Sequence, residues 1–236
     1  MEDQFKIFTL PHFVLLGLIP LVAAGLTWWT QRSHSRVRIV RMSLGIALMV
    51  NELVWYWYYV RQDWFVFPHS LPLQLCDILV WIAVAVTLFP RQQSYELLYY
   101  WGLTGTLMAI LTPDVSTSLF SYPTIRFFAA HGVIVISVLF LTWGKVLRPS
   151  TGSHWRALLY LHLYALVIGV SNLLCDTNFF YLRGKPSEPS LLDYMGPWPV
   201  YILVGDLLAG FLFWLLWLPF RKKHSTITPS GAKVGI

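Results

Sequence analysis

The chain has 236 residues, of which 56% are hydrophobic and only 12% charged, with a mean hydropathy of +0.59. A soluble domain carries about 25% charged residues, so this composition excludes one and describes an integral membrane protein, expected as a single bundle without a separate soluble domain. The net charge of +6 does not point to nucleic acid, because the basic residues sit in short loops between apolar runs.

The first apolar run follows an acidic Met-Glu-Asp rather than a basic segment, which reads as a retained helix and not a cleaved signal. Seven runs are long enough, at roughly 17 to 25 residues, to cross the hydrocarbon core. They are placed at 9–30, 38–60, 71–89, 95–112, 124–144, 156–177 and 198–220. The fourth is the weakest, holding Tyr95, Glu96, Gly102, Thr104, Gly105 and Thr106. Pro90-Arg91, Pro113-Asp114, Pro149 to Gly152, Pro186 to Pro189 and Pro197 mark the breaks. Residues 1–223 form the bundle, and the polar Gly/Ser/Thr-rich 224–236 is expected as a disordered cytoplasmic tail. Twelve Trp and twelve Tyr suit aromatic belts at both interfaces. No internal repeat is evident.

Lys and Arg divide unevenly between the two sides. Arg32, Arg36, Arg38, Arg41, Arg91, Lys145, Arg148, Arg156, Arg221, Lys222, Lys223 and Lys233 fall on one side, against Lys6, Arg61, Arg126, Arg183 and Lys185 on the other. The positive-inside bias predicts an all-α polytopic protein with its N-terminus outside and its C-terminus cytoplasmic. A plasma membrane, that of a bacterium, is the expected location.

Ionisable side chains inside a bilayer are costly and mark functional cavities. At about 1.5 Å per residue, Cys76, Asp77, His131, Glu52, Asn172 and Asp206 lie roughly 6–12 Å from the outer ends of their segments. His12 stands at the outer mouth of the first segment. Cys175, Asp176 and Asn178 gather at the outer end of the sixth. Little comparable lies in the inner half beyond His162. The expected picture is one polar cavity open to the outer leaflet.

The stretch His69 to Asp77 is the centre of that picture. Pro72 suits the first turn of a helix, which sets Cys76 about one turn in, in an environment that weakly favours thiolate. Cys76 is the nucleophile candidate and His131 the general-base candidate; the bland alternatives are a small buried hydrophobe and a helix-packing hydrogen bond. Glu52, Asp77, Asp206 and Asn172 are candidates to support or orient the imidazole, or else pair structurally. Gln74, Asn178, Tyr181, Lys185, His69 and His12 are candidates for oxyanion or substrate contacts. A Cys76–Cys175 disulfide and a metal site from His69, Cys76, Asp77 and His131 are weaker alternatives. No metal or other cofactor is expected. No Gly-x-Ser-x-Gly elbow supports a serine hydrolase.

Several blocks resemble the YwaF-type bacterial membrane proteins, relatives of the eukaryotic transmembrane protein 164 acyltransferases. They are Leu71-Pro-Leu-Gln-Leu-Cys76-Asp77, Leu111-Thr-Pro-Asp114, Phe127-Phe-Ala-Ala-His131-Gly132, Asn178 through Pro186, and Asp193 through Pro199. His12 and Glu52 also fall where such proteins tend to carry these residues. The resemblance spans all seven segments but not the tail. It implies a seven-helix bundle and, from the eukaryotic branch, a cysteine acyltransferase that moves fatty acyl chains between phospholipids, with Cys76 and His131 as the active pair. Relatives often carry His where this chain has Gln74.

The expected function is therefore two-step acyl transfer through a Cys76 thioester, from a phospholipid to a lysolipid or other lipid acceptor. A partly dry site would favour transfer over hydrolysis. A lipid hydrolase using the same pair is one alternative. A seven-helix transporter or receptor binding a small polar ligand in the outer cavity is the other.

Overall fold

A computed structural model describes residues 5–113, 115, 117–186 and 190–221. Asp114, Lys222, Lys223, Lys233 and the expected tail 224–236 lie outside the described residues. Seven membrane helices fold from this span. They are α1 (Leu10–Thr30), α2 (His34–Arg61), α3 (Leu75–Leu88), α4, α5 (Tyr122–Trp143), α6 (Ser153–Cys175) and α7 (Val200–Trp217). Helix α4 runs as Gln92–Trp101, a π-helical turn Gly102–Thr106 and Leu107–Leu111. Each matches one of the seven apolar runs.

Local chemistry sets the ends. The Ser33 hydroxyl caps α2 by accepting the Arg36 N–H at 3.3 Å, and Ser121 caps α5 through the Thr124 N–H at 3.5 Å. Pro residues occupy the first turns of α1 and α5, where the missing N–H has no intrahelical acceptor to lose. Gly152, with φ of +72°, supplies the left-handed residue that turns the chain into α6.

Consecutive helices alternate in direction. At one end, Gln74 before α3 meets the turn after α6, and His12 of α1 meets Ile110 of α4. At the other, Tyr99 of α4 reaches Leu216 of α7, and Tyr100 pairs with Ser153 of α6. The buried core runs through α3, α4 and α5, with Leu79, Ala83, Leu98, Ile134, Val138 and Leu141 fully or almost fully enclosed. Helices α1, α2, α6 and α7 turn apolar side chains outward, among them Leu21, Trp57, Leu166 and Leu207. A soluble protein would not expose so many; a bilayer solvates them. Four segments are long and apolar enough to cross a membrane, namely Leu10–Thr30, Tyr122–Trp143, Ser153–Cys175 and Val200–Phe220.

Helix α3 is the exception that positions the site. Its 14 residues span about 21 Å, short of the roughly 30 Å hydrocarbon core. The apolar run from Leu71 was expected to be helical throughout, with Pro72 in the first turn. Instead 71–74 is a bent, non-helical lead-in, with the Leu73 N–H donating to the Leu71 carbonyl at 2.8 Å, the Leu73 carbonyl accepting from the Tyr164 hydroxyl at 2.7 Å and Gln74 at φ −74° and ψ 150°. The helix therefore starts at Leu75, and Cys76 is its second residue rather than a full turn in.

The π turn of α4 abuts this start. Gly105 faces Leu75, where an added Cβ would stand 3.4 Å from Leu75 Cδ2, and Gly102 faces Val138 of α5 at the same distance. Thr104 Oγ1 donates to the Tyr100 carbonyl at 2.7 Å, taking up an acceptor at the widened turn.

The far end is more polar than expected. Glu96 is buried and accepts from Arg156 (2.8 Å), Gln92 (2.9 Å) and the Ser150 hydroxyl (2.7 Å). This network ties the start of α4 to the 148–156 turn. The expectation that ionisable groups gather at one end alone is corrected here.

Candidate active site

At the end where α3 begins, α2, α3 and α5 bring together a set of polar side chains. Arg126, one turn into α5, donates from Nη2 to Glu52 Oε2 of α2 at 2.6 Å. Its guanidinium lies 4.7 Å from the centre of the Trp55 ring, a cation–π contact. Arg126 is also within electrostatic reach of Cys76, Asp77 and His131. It is the hub of the site.

Cys76 stands at the N-terminus of α3 as a free, partly buried thiol, with Asp77 next to it. The first turn of a helix leaves backbone N–H groups without intrahelical acceptors. The side chain of the N-cap residue Gln74 does not occupy them; its oxygen accepts instead from the Phe180 N–H at 2.9 Å. Gln74 thus fastens the turn after α6 over the start of α3. The ring of Phe180 packs on Tyr164, 5.6 Å between centroids, and Tyr164 is within electrostatic reach of Cys76 and Asp77.

His131 is one turn deeper on α5. Its Nδ1–H donates to the Phe127 carbonyl at 2.8 Å, and its ring stacks on Phe127 at 4.1 Å. A carbonyl only accepts, so Nδ1 carries the proton and Nε2 keeps its lone pair in the neutral ring. That is the tautomer a general base requires. His131 Nε2 is buried and has no hydrogen-bond partner, so the imidazole and the Cys76 thiol are not directly bonded.

Unpartnered polar atoms concentrate here. Asn51 Nδ2, Glu52 Oε1, Tyr56 OH, Tyr122 OH, Arg126 Nε and His131 Nε2 are all buried without a partner. Tyr56 faces Glu52, Asp77 and Trp81. Tyr122 is within reach of Arg126 and Glu52. Each such atom costs about 1–3 kcal/mol when left unmatched, and clusters of them mark binding or catalytic positions. Two apolar grooves open on the membrane side, and of the two the second includes residues of this cluster in its lining. One of about 590 Å³ lies between α1 and α5 and is lined by Leu15, Leu18, Phe128 and Val133 among others. One of about 610 Å³ runs along α2 past Ser43, Ala47 and Val50 to Asn51 and Tyr122.

Other expected site residues have different partners. Glu52 binds Arg126 rather than His131, whose ring is oriented by its own helix carbonyl. Asp206 pairs with His162 on the outer surface of α6 and α7, at 2.7 Å, away from the cluster; the expected role beside His131 is corrected. Asn172 is fully used on the turn after α6, donating to the Phe179 carbonyl and accepting from Thr177 Oγ1 and the Phe179 N–H. Asn178 closes the same loop through Gly184 and Arg183. His12 is buried, with Nδ1 accepting from Phe8 N–H and Nε2 donating to the Ile110 carbonyl, so it clamps α1 to α4.

Lys185 lies 3.7 Å from Asp193 and over the Tyr201 ring at 5.7 Å. The Tyr181 carbonyl accepts from the Tyr201 hydroxyl. His69 is exposed, within reach of Asp176. Both cysteines are free thiols, Cys175 exposed at the end of α6. Sequence reasoning missed Arg126, Asn51, Tyr56 and Tyr122. Counted by sequence, Arg126 belongs with the interfacial basic residues; its place inside the fifth apolar run, rather than in the loop before it, is the signal that sets it apart.

The fold and this end of it define a seven-helix membrane protein with a cluster of buried polar side chains beside a partly buried cysteine. The TMEM164 family model matches residues 7–217, and the chain belongs to that family. No curated protein and no solved structure matches it.

Proposed function

We propose that this protein is a membrane-embedded cysteine-dependent acyltransferase that moves a fatty acyl chain from a phospholipid to a lysolipid or other lipid acceptor. The observation that carries the reading is that Arg126 stands within electrostatic reach of both Cys76, at a helix N-terminus without a side-chain cap, and the base-competent His131, with an apolar groove along α2 at the edge of the cluster.

The chemistry follows from those positions. The Cys76 thiol loses its proton to His131 Nε2, and Sγ attacks the ester carbonyl carbon of a bound lipid. Arg126 and the N-terminus of α3 favour the thiolate; the Asp77 N–H is taken by the Gln74 carbonyl at 3.1 Å, so the Leu75 and Cys76 N–H groups are the donors assigned to the oxyanion. The C–O bond breaks, the lysolipid oxygen takes the proton, and an acyl thioester remains on Cys76. An acceptor hydroxyl then gives its proton to His131 and attacks the thioester, which releases the thiolate. The thiol and imidazole are not bonded to one another in this structure, so the first proton transfer requires Sγ and Nε2 to come into contact when the lipid binds. The grooves along α1 and α2 suit acyl chains. The basic-residue distribution supports placing this end of the bundle outside, in the outer leaflet of a plasma membrane. Against transport, Leu79, Leu98, Ile134 and Val138 fill the middle of the bundle between its two polar ends.

The test is acyl-chain labelling of purified wild type, Cys76→Ala and His131→Ala with a phospholipid bearing a clickable chain. The expected result is a hydroxylamine-sensitive adduct in wild type and none in Cys76→Ala. A folded wild type that stays unlabelled across a broad lipid mixture overturns the reading. Lysolipid acceptors that discharge the adduct faster than water distinguish a transferase from a hydrolase.

A further inference from the structure

His162 and Asp206 form a hydrogen-bonded pair, Nε2 to Oδ1 at 2.7 Å, yet their side chains are 51% and 40% exposed. His162 lies about 14 Å from the start of α6, and Asp206 about 17 Å from the end of α7. Both are thus near the middle of a roughly 30 Å hydrocarbon core. The residues around them on the same faces, Leu159, Leu166 and Leu203, are 57%, 65% and 64% exposed. Ionisable side chains at this depth face a bundle interior or a partner, not lipid tails. The pair plays no part in the proposed reaction.

We propose that this face of α6 and α7 is the interface of a homodimer, covered in the membrane by a second copy of the chain. The chemistry selects a copy of itself. The patch carries one donor ring and one carboxylate side by side, and among the described residues His162 Nδ1 and Asp206 Oδ2 have no other hydrogen-bond partner. A two-fold axis along the membrane normal sets the His162 ring of one protomer against the Asp206 carboxylate of its partner. Each pair then makes one hydrogen bond within itself and one across the interface, so all four groups are matched. An isologous contact of this kind closes at two copies.

The experiment is cysteine cross-linking in native membranes, on full-length protein with Cys76→Ala and Cys175→Ala. Leu159→Cys and Leu203→Cys each add one thiol at the proposed face. Leu21→Cys adds one on α1, which packs against α2 and α5 instead. Oxidation is expected to give a homodimer band for the first two and not for the third, and light scattering of the native chain in mild detergent is expected to give a dimer. Asp206→Leu is expected to weaken dimerisation about tenfold, the size of one interhelical polar contact. A monomeric native chain without cross-links at Leu159→Cys and Leu203→Cys overturns the proposal. So does cross-linking to a different protein, or a dimer that Asp206→Leu leaves unchanged.

Discussion

Arg126 of α5 and Glu52 of α2 form a buried ion pair at 2.6 Å, with side-chain exposures of 12% and 0%. Removing one partner of such a pair leaves an uncompensated charge and costs about 3–5 kcal/mol. Glu52→Gln and Arg126→Gln are each expected to lower the melting temperature by on the order of 10 °C. The double variant Glu52→Gln/Arg126→Gln, which leaves no charge, is expected to recover most of that loss without recovering acyl labelling, because Arg126 also faces Cys76 and His131. Thermal unfolding in detergent alongside the labelling assay reads both. Equal melting temperatures for single and double variants would show that the pair contributes no coupling.

His131 separates function from stability in a different way. Its Nε2 is a buried, unmatched acceptor, so the folded state carries a penalty for it. His131→Phe removes that atom and keeps a ring to stack on Phe127. The variant is expected to melt at or above the wild-type temperature while its rate of thioester formation falls roughly 10²–10⁴-fold, the span of a lost general base. A large fall in melting temperature would instead make the imidazole a structural group.

The seven apolar runs were legible because each carries enough hydrophobic length to declare itself, and all seven became helices with ends within four residues of expectation. The start of α3 was not. Leu71, Leu73 and Leu75 are apolar whether helical or not, and hydropathy does not register that Tyr164 and Phe180 hold Leu73 and Gln74 in a bent, non-helical lead-in. Depth along a helix was also readable, but not azimuth. Asp206 stands at a plausible depth for the site and points to His162 on the outer surface instead. Arg126 failed for a related reason, since a basic residue four positions from a helix start reads equally as an interfacial anchor or as the buried partner of a carboxylate on another helix.

Asn172 holds the turn after α6 with three hydrogen bonds of 2.8–2.9 Å to Thr177 and Phe179. Asn172→Ala strands the Phe179 N–H and carbonyl, at about 1–3 kcal/mol for each buried unmatched group. Amide exchange at 177–182 is expected to accelerate in this variant. Asn172→Asp keeps both acceptor contacts but sets a carboxylate against the Phe179 carbonyl, so it is expected to fall between wild type and Asn172→Ala. Unchanged exchange in both would show that the loop is held from elsewhere.

The same loop carries an acid-sensitive contact. The Arg183 guanidinium, 2.7 Å from Asp176 Oδ1, holds that exposed carboxyl below its ordinary range. A group whose folded value is depressed contributes stability above its unfolded value and loses it as pH falls through the folded one. Proteolytic nicking between 176 and 186 is therefore expected to rise as pH drops below the ordinary carboxylate range, and Asp176→Asn is expected to flatten that dependence at its acid level. A variant with the wild-type pH profile would assign the acid response to another group.

Gly45 lets α2 and α3 cross at close range. A Cβ there would stand 2.4 Å from Thr87 Oγ1 and 3.1 Å from Leu88 Cδ2. Thr87 Oγ1 does not swing away freely, because it donates within its own helix, to the carbonyls of Ala83 at 2.7 Å and Val84 at 3.0 Å. Gly45→Ala therefore pushes α3 outward, at an overpacking cost of about 1–3 kcal/mol. Cys76 rides on the same short helix. A displacement of its reacting sulfur by about 1 Å is enough to slow a positioned reaction about 100-fold. Gly45→Ala is expected to lower both melting temperature and labelling rate, and Gly45→Ala/Thr87→Ala, which removes the obstructing hydroxyl, to restore both. Recovery of stability without recovery of labelling would show that α3 settles in a new register, with the thiol no longer aimed at the ester.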